Sequence, residues 1–263
     1  LNKIELLFNE LGSSGRSALI PYVMAGHPSE SATVEIIKAL AEAGASLVEL
    51  GIPFSDPLAD GATIQHASQK ALDNGMNTDK AFAIVNKARE STGIPIVVMT
   101  YYNIVLSYGL DRFAETAGRA GVSGAIIPDL PPEEAEDWIA AAANSSLATI
   151  FLVAPTSPDN RITAAADVST GFVYCVSLTG VTGGRSALSE GVTEFLRRVR
   201  SLTDKPLAVG FGVSTPEQAS FLSRLADGVI VGSALVDTID SAITGRSSQA
   251  AAEFVKNMRA GMR

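Results

Sequence analysis

The sequence is poor in the residues that many catalytic chemistries need. It holds one cysteine, Cys175, which rules out an internal disulfide and fits a reducing compartment. With no base close to it, that cysteine gives thiol catalysis little support. Two histidines, His27 and His66, do not supply the clustered His and acid ligands of a metal-dependent aldolase. His66 falls in a helical pattern, and His27 stands alone, reading as a loop residue and not a ligand. A Schiff-base aldolase needs a lysine at a strand end. Lys3, Lys38, Lys70, Lys80, Lys87, Lys205 and Lys256 fall instead on helical patterns, in helix-flanking loops or at the wrong end of a strand. No apolar run approaches about 18 residues, so no membrane span is expected. No block of like charges marks a tail, and the formal net charge of -8 argues against nucleic acid as the main partner.

What is present is a chain of 263 residues, 46% hydrophobic and 18% charged, enough for a sizeable core. No linker or composition shift divides it, so residues 1–263 read as one domain. Leu1 to Leu11, with Lys3, Glu5 and Glu10 among apolar positions, reads as an amphipathic helix and not a signal peptide. The absence of an initiator Met is read as processing or trimming. Eight short apolar runs follow: Ala18 to Val23, Leu47 to Leu50, Pro95 to Met99, Gly124 to Pro128, Ala148 to Val153, Gly171 to Val176, Pro206 to Val209 and Gly228 to Val231. Nearly continuous Val, Ile, Leu and Ala suits strands covered on both faces. Helical patterns separate them. Ser29 to Ala43 opens on a Ser cap, Thr215-Pro216-Glu217 places Pro in a first turn, and Pro132-Glu133-Glu134 reads as a similar start.

One strand and one helix recur about every 30 residues, the period of an eight-fold parallel barrel. A doubly wound open sheet would carry G-x-G-x-x-G after its first strand, where this chain has Met24-Ala25-Gly26-His27-Pro28. The expected fold is α/β, a (β/α)8 TIM barrel with an added N-terminal helix.

In such a barrel the active groups come from strand C-termini and the loops after them. The stretch Val48-Glu49-Leu50-Gly51-Ile52-Pro53-Phe54-Ser55-Asp56-Pro57-Leu58-Ala59-Asp60-Gly61 sets one carboxyl inside an apolar strand and another in the following loop. Burying Glu49 as an ion is costly, so its pKa is expected to rise. Asp60, in a polar loop, is expected to stay ionised, and two carboxyls in contrasting surroundings can run acid and base chemistry together. The alternatives are a buried ion pair for Glu49 and a helix cap for Asp60. Glycines recur at three late strand ends: Gly180-Val181-Thr182-Gly183-Gly184, Gly210-Phe211-Gly212-Val213-Ser214 and Gly232-Ser233. There, backbone N–H groups and a helix N-terminus can cradle a phosphate. Tyr22, Tyr101, Tyr174 and Phe211 near strand ends could sandwich a flat apolar ligand or simply pack the core. Carboxylate acid-base chemistry on a small phosphorylated substrate remains.

These residues resemble the tryptophan synthase alpha subunit family over essentially the whole length. The likeness rests on Val48 to Gly61, Tyr101-Tyr102-Asn103, Pro128-Asp129-Leu130-Pro131, Gly180-Val181-Thr182-Gly183, Gly210-Phe211-Gly212-Val213-Ser214 and Gly232-Ser233. The resemblance implies a barrel lyase that splits indole-3-glycerol phosphate into indole and glyceraldehyde 3-phosphate in tryptophan biosynthesis. It implies no cofactor or metal in this chain, a pyridoxal-phosphate beta subunit as partner in an alpha2beta2 assembly, and a cytoplasmic setting, or the plastid stroma in a plant. Residue by residue it implies catalysis by Glu49 and Asp60, and a phosphate site at Gly183, Gly184, Gly212, Gly232 and Ser233. It implies an indole pocket of Tyr22, Tyr101, Ile126, Leu152, Tyr174 and Phe211. Thr182 would orient the aspartate when the loop from Ser177 to Glu190 closes, and Asp56 and its neighbours would face the beta partner. The chain departs at Met24-Ala25-Gly26-His27-Pro28, where the family often has Thr-Ala-Gly-Asp-Pro. Met24 removes a hydroxyl near Glu49, and Pro128 and Ile126 make the indole wall bulky and aliphatic.

Three rivals remain. A stand-alone lyase would release free indole without a partner, and a regulatory subunit would only activate a beta chain. An indole-glycerol phosphate synthase or a sugar-phosphate epimerase would be expected to show, respectively, a strand-end Lys or a metal-binding His set, and neither is visible.

Overall fold

The computed structural model describes residues 1–176, 185–210 and 212–262, with 185–189 as backbone only. Eight strands, β1 (Ala18–Met24), β2 (Val48–Gly51), β3 (Ile96–Met99), β4 (Gly124–Ile126), β5 (Ala148–Val153), β6 (Val173–Val176), β7 (Leu207–Gly210) and β8 (Gly228–Val231), close into a barrel in chain order. Every pairing is parallel, including β1 with β8, and the expected (β/α)8 barrel is what forms. Around it run α1 (Lys3–Ser13), α2 (Glu30–Glu42), α3 (Ala62–Asp73), α4 (Thr78–Ser91), α5 (Tyr102–Tyr108), α6 (Leu110–Ala120), α7 (Glu136–Asn144), α8 (Asp159–Val168), α9 (Arg185–Arg200), α10 (Pro216–Leu222), α11 (Ser233–Asp240) and α12 (Ser247–Gly261).

Side chains alternate across each strand, and the alternation splits the core in two. Ala18, Ile20, Leu47, Val97, Ile126, Ala148, Ile150, Phe172, Ala208 and Ile230 fill the barrel, where α1 joins them through Ile4, Phe8 and Leu11. The intervening Leu19, Val48, Leu50, Val98, Val173, Leu207 and Val229 pack against the helices. Both faces are apolar, which is why the strands read as continuous runs.

Local signals set the helix starts. Asn2 and Glu5 form a capping box on α1, and the Asn2 side chain also donates to the Thr170 carbonyl at 2.7 Å. Ser29 caps α2, and Thr215 with Gln218 forms a second capping box ahead of Pro216. Pro132-Glu133-Glu134 is a correction: it makes one 3-10 turn, and the helix starts only at Glu136. Among the described residues no helix is long and apolar enough to cross a membrane.

Candidate active site

Following the inward series one step past the packed layer defines the site. Two residues beyond each inward core residue stand Tyr22, Glu49, Met99, Pro128, Leu152, Tyr174, Gly210 and Gly232, one for each strand. All eight line a cavity of about 1210 Å³ at the C-terminal mouth, together with Asp60, Ile126, Gly212 and Ser233. Side chains fill this layer from β1 to β6, while β7 and β8 contribute glycines. The layer is therefore open on the side where α11 begins. There Gly232 precedes the helix with no side-chain cap, so the first N–H groups of α11, at the cavity wall formed by Gly232 and Ser233, have no side-chain acceptor. A Cβ at Gly210 would stand a tight 3.0 Å from the Tyr174 hydroxyl, and Gly212 holds φ at 65°, the left-handed region that favours glycine.

Glu49 occupies this layer on β2, in register with Tyr22 on β1 and Val97 on β3. It is 1% exposed. Neither carboxyl oxygen has a hydrogen-bond partner among the described residues, and no Arg or Lys there pairs with it, which removes the ion-pair alternative. Burial first, then the charge of Asp60, pushes its pKa up to about 8; the nearby Tyr174 hydroxyl pulls back only slightly and lies outside good hydrogen-bond geometry.

Asp60 belongs to the loop between β2 and α3. Ser68 of α3 clamps this loop, accepting from the Phe54 N–H and donating to its carbonyl, both at 3.0 Å. Gln65 holds the Asp60 carbonyl at 2.9 Å, and the Ala59 N–H donates to the Tyr101 hydroxyl at 3.0 Å. The cap of α3 is Gly61, so Asp60 is not the helix cap. Half-burial pushes its pKa up to about 6, partly offset by the Tyr101 hydroxyl, which still leaves it ionised near neutral pH. Near neutral pH the pair thus holds a protonated Glu49 beside an ionised Asp60.

Most sequence-read wall residues meet here: Tyr22, Ile126, Leu152 and Tyr174 all line the cavity. Tyr101 does not. It stacks on Phe54 with centroids 5.1 Å apart and supports the Asp60 loop from behind. Thr182, Gly183, Gly184 and Phe211 lie outside the described residues, as does most of the loop from Ser177 to Glu190. His27 also needs correction. It does not stand alone: its Nε2 lies 3.2 Å from Asp240, far along the chain, a pairing that no local pattern announces. Met99 and Leu58 line the cavity as well; the alternation of β3 would have found Met99.

A closed parallel barrel with an acid pair at its C-terminal mouth, and a glycine-opened side facing a helix N-terminus, is the layout of a phosphate-handling barrel enzyme. The comparisons with known proteins make the class particular. The family model described as tryptophan synthase alpha chain matches residues 8–263, and this chain belongs to that family, the lyase subunit acting in tryptophan biosynthesis. The tryptophan synthase alpha chain of Roseiflexus castenholzii is 48% identical over 260 residues, covering 98% of this chain and 100% of that one. That of Geobacter sulfurreducens is 44% identical over 259 residues, covering 98% of each. Among solved structures, the Legionella pneumophila alpha subunit superposes with a TM-score of 0.93 at 34% identity, covering 99% of this chain and 98% of that one. The aminoacrylate-bound Mycobacterium tuberculosis tryptophan synthase superposes with a TM-score of 0.91 at 37% identity, covering 100% of both chains.

Proposed function

We propose that this chain cleaves indole-3-glycerol phosphate to indole and glyceraldehyde 3-phosphate by a retro-aldol reaction, with Glu49 and Asp60 as its catalytic residues. One observation carries the reading: a fully buried carboxyl, without a basic partner among the described residues, on the wall of a cavity that also holds a second, ionised carboxyl.

The bond to be broken joins indole C3 to the first carbon of the glycerol chain. C3 is a poor leaving group until protonated. Glu49, protonated near neutral pH, delivers a proton to C3 and creates an iminium-like ring. Asp60, ionised, accepts a hydrogen bond from the ring N–H and stabilises its developing positive charge. The glycerol hydroxyl on the first carbon then gives its proton to Glu49. Its oxygen closes to the aldehyde, and the electron pair of the broken bond returns to the ring, leaving indole. Glu49 gives one proton and regains one.

Tyr22, Ile126, Leu152, Tyr174 and Phe211 form the indole pocket in this reading, with Tyr101 behind Asp60. Gly183, Gly184, Gly212, Gly232 and Ser233 hold the phosphate and fix register. Thr182 orients Asp60 on loop closure. Elements of one barrel run from Lys3 to Gly261, which supports one domain over residues 1–263. The exposed segment around Asp56 and Leu58, the latter 94% exposed, is the proposed docking face for a beta subunit. That partner carries the pyridoxal phosphate and completes an alpha2beta2 assembly in the cytoplasm or a plastid. Glu49→Gln tests the central role: cleavage should fall at least ~10²-fold, the usual acid-base contribution, while substrate still binds. A variant with near-normal turnover would rule it out.

A further inference from the structure

A cluster of ionisable side chains lies outside the acid pair. His27 follows β1 and is 3% exposed. Its Nε2 lies 3.2 Å from Oδ1 of Asp240, and the same oxygen accepts from Nζ of Lys70 at 2.9 Å. Neither ring nitrogen of His27 makes a hydrogen bond of good geometry among the described residues, so the Asp240 contact is a close approach of Nε2 and not a well-formed hydrogen bond. Burial holds the imidazole below its ordinary pKa against the pull of Asp240, and Lys70 and His66 push the same way as burial. The ring is therefore neutral near neutral pH, with Nε2 the nitrogen that faces Asp240.

Neither placement is what local stability would select. Asp240 is the last residue of α11, where a carboxylate meets the negative end of the helix dipole. A buried imidazole with neither nitrogen in a well-formed hydrogen bond costs stability that an apolar side chain of similar size would not. What the pairing does accomplish is to join three elements that all lead to the site. His27 lies just past β1, whose Tyr22 is paired with Glu49. Lys70 belongs to α3, which starts two residues after Asp60. Asp240 ends α11, whose other end is Gly232 and Ser233. At eight residues, or about 12 Å, α11 is short enough to move as a rod.

We propose that His27 is a positioning residue which, through Asp240 and Lys70, fixes the phosphate-binding end of α11 relative to the two carboxyls. This rests on the function proposed above, and it divides the substrate into two halves that respond differently. His27→Phe keeps a flat ring and removes the donor. Asp240→Asn keeps the shape and removes the charge, and its part-exposed site keeps the test available should His27→Phe fail to fold. His27→Gln returns an N–H.

The purified full chain and each variant are titrated with glyceraldehyde 3-phosphate and, separately, with indole, and turnover of indole-3-glycerol phosphate is measured. His27→Phe and Asp240→Asn should weaken the phosphate-bearing ligand and raise KM about 10-fold, within the usual range of coupling between sites. Affinity for indole and kcat should stay within about two-fold of wild type, and His27→Gln should recover most of the loss. Equal losses for both ligands, wild-type affinity for both, or a His27→Gln variant no better than His27→Phe would overturn the proposal. A wild-type chain that binds both ligands but releases no indole would instead overturn the function, leaving the ligand titrations to decide on His27.

Discussion

Glu49 holds its proton because it is buried and no described basic residue compensates a charge there. The same fact makes it a liability to the fold. Unfolded, its carboxyl ionises near the ordinary value of 4.5; folded, it keeps its proton to about 8. Between these values the folded state binds more protons, so stability falls as pH rises, by up to about 1.4 kcal/mol per pH unit. Urea unfolding of wild type and Glu49→Gln across that window should show this slope in the wild type and its loss in the variant. Asp60→Asn should cut turnover about 10²-fold with little change in KM, and should remove the acidic limb of the pH profile that the Asp60 carboxyl sets near about 6. A pure binding defect would assign Asp60 a different role. At this scale Glu49 was legible because a lone acid among Leu47, Val48 and Leu50 breaks a strong local rule. The upward shift of Asp60 was not legible because its surroundings come from residues far away in sequence, Tyr101 among them. The His27–Asp240 contact was invisible for the same reason.

Among the elements, the barrel strands were legible to within about two residues, since runs buried on both faces leave little ambiguity. The inner and outer series could not be told apart in those runs, so although the late glycines were read from the sequence, their place in one layer with Met99 emerged only from the closed sheet. Pro132 misled because proline opens a 3-10 turn as readily as an α-helix. The added helix α1 closes the bottom of the barrel core, where its Phe8 packs against Phe172 with ring centroids 5.7 Å apart. Phe8→Ala should therefore cost about 3–5 kcal/mol in denaturant unfolding while leaving KM unchanged. A cost under about 1 kcal/mol would show that α1 is peripheral.

The whole molecule is an acid-lined barrel mouth whose exposed rim, at Asp56 and Leu58, adjoins the loop that carries Asp60. Because Ser68, Gln65 and Tyr101 tie this loop to the barrel, a partner seated on the rim can alter the placement of Asp60. A tryptophan synthase beta chain should accordingly raise turnover about 10-fold or more, and Asp56→Lys should abolish that stimulation while unassisted turnover persists. Full activity without a beta chain would favour a stand-alone lyase.

The central claim, that a protonated Glu49 and an ionised Asp60 split the substrate together, is tested most directly by following indole release from indole-3-glycerol phosphate as a function of pH. A bell-shaped kcat/KM is expected, with limbs near about 6 and about 8, macroscopic values that belong to the pair, and the bell should collapse in Glu49→Gln. A flat profile, or a Glu49→Gln variant that keeps the bell, would contradict it.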